Sequence, residues 1–430
     1  MKLSGGGGLG ALKTTFALPN YRLYVVGNLS ATTGLWVQRV AIGWLTWELT
    51  HSAAWLGIIV VAESIPTLTL GLFAGAVVDR MDYLKLLRIA QALSLSYSVV
   101  MAIASFTGVL DIWLLLGMTI FRGCVMAFSR PSRMTLVFAL VGRDLLASAL
   151  AANSMIFNIA RFIGPALGGL IISAGGDRWG TAFAFTTTAC LLAVMTTVLA
   201  LMRFSFTPTR EQPVRRQSMI TETWEGVRYI LTQPTIRAQL LLLVGTSLFA
   251  KPVIDLFPGF AAQVFNQGAH GLGILLSMHG LGAMFGGLWL ASRTKGMKGL
   301  THITIVNILF MSMALFLFIA TDIFWIGVIT AMLVGAAFII MSVGNQTLIQ
   351  AGVDPELRGR VVSVYGMMAQ DLPGIGTMIM GGIAEHLGLR LPIAIGAALC
   401  LVLWYWAQRQ RSWLVPAVEN EETAVKTRKS

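Results

Sequence analysis

Residues 71–88 read GLFAGAVVDRMDYLKLLR, a charged turn between two long apolar segments. Two apolar segments joined by so short a linker form an antiparallel hairpin in a membrane. Arg80, Lys85 and Arg88 lie in the turn or directly after it. Because basic residues concentrate in loops on the cytoplasmic side, the turn is predicted to be cytoplasmic. This placement sets the predicted orientation of every other segment.

The composition excludes a soluble fold. The 430 residues are 56% hydrophobic and 12% charged, whereas an average soluble domain is about 25% charged. Apolar runs of about 20 residues, long enough to cross a hydrocarbon core of about 30 Å, follow one another along the chain. The sequence therefore predicts an all-α membrane protein with many spans.

The positive charge of the chain lies mainly in short connections between apolar segments. The net charge is +12, from 31 Lys and Arg against 19 Asp and Glu. Nucleic-acid binding needs a basic face on a soluble domain, whereas basic loops in a membrane protein orient the spans and contact anionic lipid. We therefore expect contact with the lipid bilayer and no nucleic-acid partner.

Catalytic and metal-binding patterns are missing from the sequence. The cysteines and histidines are dispersed, at Cys124, Cys190, Cys400, His51, His270, His279, His302 and His386. Scattered cysteines in apolar runs give neither a disulfide framework nor a metal-ligand spacing. The phosphate-binding pattern Gly-x-x-x-x-Gly-Lys-Ser/Thr does not occur. We expect no metal, no cofactor and no enzymatic activity.

Twelve membrane spans are predicted from the apolar runs and the breaks between them. They cover residues 21–48, 54–78, 84–107, 112–131, 146–174, 180–203, 238–264, 269–292, 300–320, 323–345, 361–386 and 389–407. Lys and Arg cluster in every second connection, which supports this count. An even number of spans places both termini in the cytoplasm, and the first span is expected to direct insertion without a cleavable signal peptide.

The spans fall into two groups of six. The predicted organisation is a tail (1–20), an N-terminal six-helix bundle (21–203), a linker (204–237), a C-terminal six-helix bundle (238–407) and a second tail (408–430). Within the linker, residues 221–231 alternate apolar and charged residues at helical spacing. This pattern predicts an amphipathic helix on the inner membrane surface.

A shift of 212 residues aligns glycines of the two bundles. The aligned pairs are Gly75 and Gly287, Gly123 and Gly335, Gly164 and Gly376, and Gly169 and Gly381. One shift that serves several places favours a duplicated six-span unit, which is typical of transporters that bind substrate near the membrane midplane. The counterpart of the opening turn, residues 285–293, keeps the glycine and a positive charge but lacks a carboxylate where Asp79 would fall.

Gly75, Asp79 and Arg80 form a Gly-x-x-x-Asp-Arg motif with basic residues behind it. The motif resembles the loop signature between helices 2 and 3 of the major facilitator superfamily. Residues 36–50 and 153–169 are most similar to the branch that contains the enterobactin exporter and the macrolide efflux proteins, the transmembrane secretion effector type. The resemblance covers spans 1 to 11. It implies the major facilitator fold, a small-molecule substrate and alternating access.

Gly164, Pro165, Gly168 and Gly169 resemble the antiporter signature of exporters in that superfamily, although the glycines upstream of it are replaced. Proline removes a backbone donor, so the motif is predicted to break the helix and form a closely packed hinge. The alternative is a proline tolerated without a function. The resemblance also implies that Asp79 caps the start of span 11 at an inner gate.

Several ionisable residues lie inside the predicted spans. They are Arg39, Glu63, Arg122, Arg161, Lys251, Asp255 and Asp371. A charge at the centre of a lone helix costs roughly 2.5–3.5 kcal/mol, so six of them facing lipid would cost about 15–20 kcal/mol. They are therefore expected to face a wet cavity or one another. Asn158 lies one turn from Arg161 as a neutral companion.

Glu63, Asp255 and Asp371 are predicted to include the carboxylate that carries a coupling proton, because a carboxylate at membrane depth can exchange a proton as a cavity opens to each side. Lys251 and Asp255 are four residues apart and can instead neutralise each other on one helix.

Prolines stand beside two of these carboxylates. Pro252 and Pro258 flank Asp255, and Pro373 follows Asp371 by two residues. Broken helices at membrane depth are tolerated where they line a cavity. Spans 7 and 11 are therefore predicted to be broken beside their carboxylates.

These observations predict a secondary transporter that exports an amphipathic organic compound, such as a drug, siderophore or other metabolite, in exchange for protons. We expect a monomer in the bacterial inner membrane. Uptake or facilitated transport of a small metabolite remains an alternative. A transport-inactive assembly protein that kept the fold, a membrane enzyme and a lipid flippase are alternatives from other classes.

Overall fold

The computed structural model describes residues 8–202, 219–293 and 297–411. Every regular element in these ranges is helical. A helix pairs its backbone groups within itself, which a chain in lipid requires. Eight of the described helices are long and apolar enough to cross a membrane. One of the eight has 90 residues and contains three spans.

Ten spans lie in these eight helices, and two further long helices, Pro19–Thr50 and Arg358–Leu387, bring the number of spans in the described residues to twelve. The all-α fold with twelve transmembrane helices is thus confirmed. Spans 1 to 3 are Pro19–Thr50, Ala53–Arg80 and Tyr83–Thr107; spans 4 to 6 are 112–141, 143–175 and 177–201; span 7 is Pro234–Val264; spans 8 to 12 are Gly268–Ala291, Leu300–Ala320, Phe324–Gly352, Arg358–Leu387 and Arg390–Arg409. Two shorter helices, Gly8–Ala17 and Met219–Thr232, precede spans 1 and 7.

Two glycines separate spans 4, 5 and 6. Gly142 has φ 70° and Gly176 has φ 62°, whereas the rest of Ile112–Leu201 keeps helical backbone angles. Glycine adopts positive φ without the steric cost that a Cβ imposes, so the chain turns at these two points. Span 4 therefore continues to residue 141, past its predicted end at 131. Arg133, which the predicted bounds place in the connection between spans 4 and 5, lies on this helix.

Span 7 is interrupted, as predicted. The helix Pro234–Phe249 ends at a turn over residues 250–252, and the chain continues as Val253–Gly259 and the π-helical Phe260–Val264. The interruptions predicted in spans 5 and 11 were wrong, because the helices continue through Pro165 and Pro373. A membrane helix tolerates the donor that proline removes when neighbouring helices and local adjustments hold it in place.

The chain packs into two compact units. The first contains spans 1 to 6 without residues 52–61, and it includes residues 266–277 of span 8. The second contains residues 52–61 and the remaining parts of spans 7 to 12, with the helix Met219–Thr232. Each unit thus takes in the start of one span from the other half of the sequence.

Gly164 and Gly376, which the 212-residue shift aligns, make equivalent contacts in the two units. A Cβ on Gly164 would lie 2.5 Å from Cβ of Trp36, and a Cβ on Gly376 would clash with the carbonyl oxygen of Leu248. The shift that relates the two glycines also relates the two partners, because 36 plus 212 is 248. The duplicated six-helix unit is therefore confirmed at the level of backbone packing.

The glycines of spans 4 and 10 also form an equivalent pair. A Cβ on Gly123 would meet the carbonyl of Glu63 on span 2, and a Cβ on Gly335 would meet the carbonyl of His279 on span 8. Small residues let two helix backbones approach closely in lipid. Span 4 is thereby held against span 2, and span 10 against span 8.

The predicted amphipathic helix is present as Met219–Thr232. It contacts span 11 and the turn before it: Glu225 forms an ion pair with Arg360, and the Tyr229 hydroxyl donates to Asp354 Oδ2 at 3.1 Å. Trp224 is 66% exposed on the same helix. The first part of the predicted linker, 204–218, and most of the second tail lie outside the described residues.

Candidate functional site

Glu63 of span 2 and Arg122 of span 4 form an ion pair inside the first unit. Arg122 Nη1 lies 2.6 Å from Glu63 Oε1, and the two side chains are 13% and 33% exposed. Gly123 allows spans 2 and 4 to approach each other closely, because its missing Cβ lets span 4 pack against the backbone carbonyl of Glu63. Because Glu63 lies inside a span, it was expected to need a partner, and that partner is Arg122 on a different helix.

A buried glutamine extends this pair toward spans 1 and 3. Arg122 Nε donates to Gln38 Oε1 at 3.1 Å, and Gln38 Nε2 donates to Ser98 Oγ at 3.1 Å. Gln38 is 1% exposed and Ser98 is fully buried. A buried polar network of this kind fixes the position of each member. Four helices thus contribute to one chain of polar contacts.

A second polar contact joins spans 1, 4 and 5. Arg133 Nη1 donates to Asn28 Oδ1 at 3.0 Å, and Asn28 Nδ2 donates to Asn153 Oδ1 at 3.3 Å. Sequence reasoning did not select Asn28, Gln38 or Asn153. For Asn28 and Gln38, the signal was a polar amide inside an apolar run of span 1, since such a group needs a partner when it is buried.

Two arginines face one tryptophan where spans 1 and 5 meet. The guanidinium carbons of Arg39 and Arg161 lie 5.5 Å and 5.8 Å from the ring centroid of Trp36. The Phe157 ring meets Trp36 edge-on, with centroids 5.8 Å apart. Asn158 Nδ2 donates to the Ser154 carbonyl at 2.8 Å on its own helix.

The glycine motif of span 5 positions this group. Gly168 packs against Val37 and Val40 of span 1, and a Cβ on Gly169 would lie 2.8 Å from Cα of Gly273 in span 8. Together with Gly164 against Trp36, these contacts make Gly164, Pro165, Gly168 and Gly169 a closely packed segment of continuous helix.

In the second unit, the interruption of span 7 presents its charged residues to span 11. Lys251 Nζ donates to the Ala369 carbonyl at 3.0 Å and lies 5.0 Å from the ring centroid of Phe338. Asp255 Oδ2 accepts from Thr377 Oγ1 at 3.1 Å. Asp371 is half-buried on span 11, two residues after the carbonyl that binds Lys251.

The opening motif is described only in its backbone. Helix Ala53–Arg80 includes Gly75, Asp79 and Arg80, and their side chains lie outside the described residues. The capping contact expected of Asp79 stays a prediction. No group of three or more metal-binding side chains occurs among the residues that the structure describes.

One family model covers nearly the whole chain. The model is named transmembrane secretion effector, and it matches residues 13–428. This protein belongs to that family of major facilitator transporters. The resemblance seen in residues 36–50, 75–80 and 153–169 is thereby confirmed, and the chain is a multi-pass membrane transporter.

Relatives with assigned functions match most of the chain. The multidrug efflux pump Tap of Mycolicibacterium fortuitum is 27% identical over 379 residues, covering 85% of this chain and 90% of Tap. The enterobactin exporter EntS of Salmonella typhi is 26% identical over 401 residues, covering 90% and 92%. These two relatives are thus an efflux pump and an exporter.

A solved structure supports the fold. The nucleoside transporter NupG matches 91% of this chain and 98% of its own with a TM-score of 0.69. The two sequences are 14% identical, so the match concerns the fold alone. The major facilitator fold is confirmed.

Proposed function

We propose that this protein exports an amphipathic organic compound in exchange for protons by alternating access. The observation that carries the proposal is the Glu63–Arg122 ion pair, held by Gln38 inside a chain of an exporter family. Ionisable residues inside a membrane protein are costly and are typically kept for transport. The names of the relatives favour export over uptake.

Glu63 is the proposed coupling carboxylate. When Glu63 takes up a proton, it loses its charge and releases Arg122, whose guanidinium is then held by Gln38 alone in this network. Protonation of Glu63 thereby changes the contacts between spans 1, 2 and 4. Two states of the transporter that differ by a few kcal/mol can be shifted by such a change.

Asp255 and Asp371 are the other candidate carboxylates. Asp255 bonds Thr377 of span 11, and Asp371 is on that span near the carbonyl that binds Lys251. We infer that they couple span 7 to span 11. We also infer an inner-membrane location with both termini in the cytoplasm, from the basic residues in alternate connections, and a monomeric transporter.

The experiment compares intracellular and extracellular metabolites of cells with and without the gene at two external pH values. A compound retained in the cell only without the gene, and more strongly at the pH that gives the larger inward proton gradient, supports proton-coupled export. If retention of the compound did not depend on external pH, proton coupling would be contradicted. Depletion of the compound from the cell would indicate uptake, and no difference would favour an assembly protein.

The carboxylates are tested one at a time in inside-out vesicles with the compound so identified. Glu63→Gln, Asp255→Asn and Asp371→Asn are compared with Glu356→Gln, since Glu356 is exposed in a turn. We expect Glu63→Gln to lose proton-driven transport. Full coupling in all three variants would contradict the proposed coupling.

A further inference from the structure

Arg133 places a positive charge inside the first unit, where spans 1, 4 and 5 meet. It is partly buried on span 4, and its Nη1 donates to Asn28 Oδ1 at 3.0 Å. Among the described residues, no carboxylate forms an ion pair with Arg133. The residue precedes the end of span 4 by eight positions, about 12 Å along the helix. A charge inside a membrane bundle is costly and needs a partner of opposite charge or a function.

The amide oxygens around Arg133 are already used as acceptors within the cluster. Asn28 Oδ1 accepts from Arg133 and also from Thr32 Oγ1, the latter at 3.5 Å. Asn153 Oδ1 of span 5 accepts from Asn28 Nδ2 at 3.3 Å. Asn28 is 5% exposed, so its contacts are made inside the unit. Both amide oxygens therefore face donors of the same cluster.

The groups that remain beside Arg133 are mainly hydrogen-bond donors. Arg133 bonds through Nη1, which leaves Nε and Nη2, and Asn153 gives its oxygen to Asn28, which leaves Nδ2. The charge of Arg133 acts on the Tyr24 hydroxyl, which lies beside Asn153. Tyr24 is completely buried, and its hydroxyl completes no hydrogen bond with a described residue. Guanidinium, amide and hydroxyl donors together suit a carboxylate or a phosphate group.

The second unit has no cation at the equivalent place. At the 212-residue shift, the counterparts of the three bonded residues are neutral; they are Leu240 for Asn28, Asn345 for Arg133 and Tyr365 for Asn153. Asn345 Nδ2 donates to the Gln239 carbonyl at 2.9 Å. The duplicated six-helix unit therefore folds with neutral side chains at this place, and the arginine of the first unit is not a requirement of the fold.

We propose that Arg133, Asn153 and Tyr24 bind the anionic group of an amphipathic organic anion inside the first unit. This inference rests on the proposed function and assigns the exported compound to the class of organic carboxylates and phosphates. Arg133 supplies the charge, Asn153 and Tyr24 supply neutral donors, and Asn28 holds the guanidinium in position. Arg133 and Asn153 are partly exposed, which gives the anion access to the site.

The site is tested by calorimetry on the full chain in phosphatidylcholine nanodiscs, with two probes of nearly equal shape. The probes are 2-naphthoate, which is an anion, and 2-naphthamide, which is neutral. We expect 2-naphthoate to bind at least about tenfold more tightly, a difference of about 1.4 kcal/mol. Equal binding of the two probes, or tighter binding of 2-naphthamide, would overturn the proposal.

Variants of Arg133 assign the binding to this residue. Arg133→Gln is expected to weaken 2-naphthoate binding by about tenfold or more, while Arg133→Lys keeps the charge and should keep the preference for the anion. Arg237→Gln is the matched control, because Arg237 is exposed near the start of span 7, and it should leave binding unchanged. Unchanged binding in a folded Arg133→Gln variant would overturn the site.

Asn153→Asp tests the site without removing its charge. The new carboxylate keeps an oxygen for Asn28 Nδ2 and presents a second oxygen to Arg133. Because the arginine then has an ionic partner, we expect a higher melting temperature than in the wild type and a loss of 2-naphthoate binding of about tenfold or more. Binding of 2-naphthoate at the wild-type affinity in this variant would contradict the proposal.

A lipid headgroup could supply the same anionic chemistry. The titration is therefore repeated in nanodiscs that also contain phosphatidylglycerol. Unchanged affinity for 2-naphthoate supports a free organic anion, whereas competition by phosphatidylglycerol contradicts it. Because binding is measured on purified protein, the two proposals fail separately. Loss of anion binding with intact export leaves the exporter standing, and anion binding without any retained metabolite leaves only the binding site.

Discussion

The two six-helix halves of this protein share their backbone packing and differ in their polar chemistry. Gly164 and Gly376 contact partners that are themselves 212 residues apart, Trp36 and Leu248. The charged residues do not follow this symmetry. At the same shift, Glu63, Arg122 and Arg161 correspond to Leu275, Val334 and Pro373, whereas Arg39 corresponds to Lys251.

The difference shows which features a duplicated membrane unit must keep. At three of the four aligned pairs, a Cβ on either glycine would come closer than 3.0 Å to a neighbouring helix, so replacing the glycine disturbs the packing of both helices; these are Gly123 and Gly335, Gly164 and Gly376, and Gly169 and Gly381. Charged residues inside the spans are costly in either half and need a partner or a function. The candidate charged residues inside the spans of the first half are Glu63 and three arginines, while those of the second half are one lysine and two aspartates.

The largest effect on stability is expected in the charges of the first half. Glu63→Gln leaves Arg122 without its carboxylate, and breaking a fully buried pair costs 3–5 kcal/mol, so about 3 kcal/mol is expected for this partly exposed pair. The corresponding change Leu275→Met in the second half replaces one apolar side chain by another and should cost less than about 1.5 kcal/mol. Thermal unfolding of the purified variants measures both.

The double variant Glu63→Gln, Arg122→Gln serves as the control for this pair. Removing both charges should recover most of the lost stability, because no uncompensated charge remains. A single Glu63→Gln variant as stable as the wild type would show that the ion pair does not hold spans 2 and 4 together.

A smaller effect, equal in the two halves, is expected for the aligned glycines. Gly164→Ala and Gly376→Ala each force a methyl group against a neighbouring helix, and overpacking costs about 1–3 kcal/mol. Gly117→Ala and Gly366→Ala are the controls, because a Cβ at either position has nothing within 4 Å. If only one of Gly164→Ala and Gly376→Ala lowered the stability, the two halves would not share this packing.

The smallest effect is expected outside the two bundles. The Glu225–Arg360 pair joins the helix Met219–Thr232 to span 11, and its side chains are 36% and 30% exposed. A double-mutant cycle with Glu225→Gln and Arg360→Gln should give a coupling free energy of about 0.2–1 kcal/mol, reduced by salt. The more exposed Asp322–Arg390 pair is the comparison and should give less. A coupling above that range would assign the helix a larger structural role.

The sequence predicted the spans and the duplication well because both depend on local patterns. Apolar runs of spanning length and repeated glycines are visible without knowledge of contacts. The break in span 7 was also predictable, since two prolines flank Asp255. Pro165 and Pro373 carried the same signal, yet tertiary packing kept both helices continuous.

The candidate site was predictable only in part. Depth in a span identified Glu63, Arg122 and Arg161 as residues in need of partners. Sequence alone gave neither the pairing of Glu63 with Arg122 nor the shared contact of Arg39 and Arg161 with Trp36, because these contacts join different helices. Gln38 was missed as a functional residue, since a single amide in span 1 has no spacing pattern of its own.

The proposed role of Glu63 as the coupling carboxylate is tested most directly in proteoliposomes, with the compound identified by the metabolite comparison. Two modes are measured for the wild type and Glu63→Gln: uphill transport driven by a pH gradient, and exchange of labelled for unlabelled compound without a gradient. Our account predicts that Glu63→Gln loses gradient-driven transport and keeps exchange, because exchange of labelled for unlabelled compound without a gradient does not require the coupling proton. Gradient-driven transport at the wild-type rate in Glu63→Gln would contradict it.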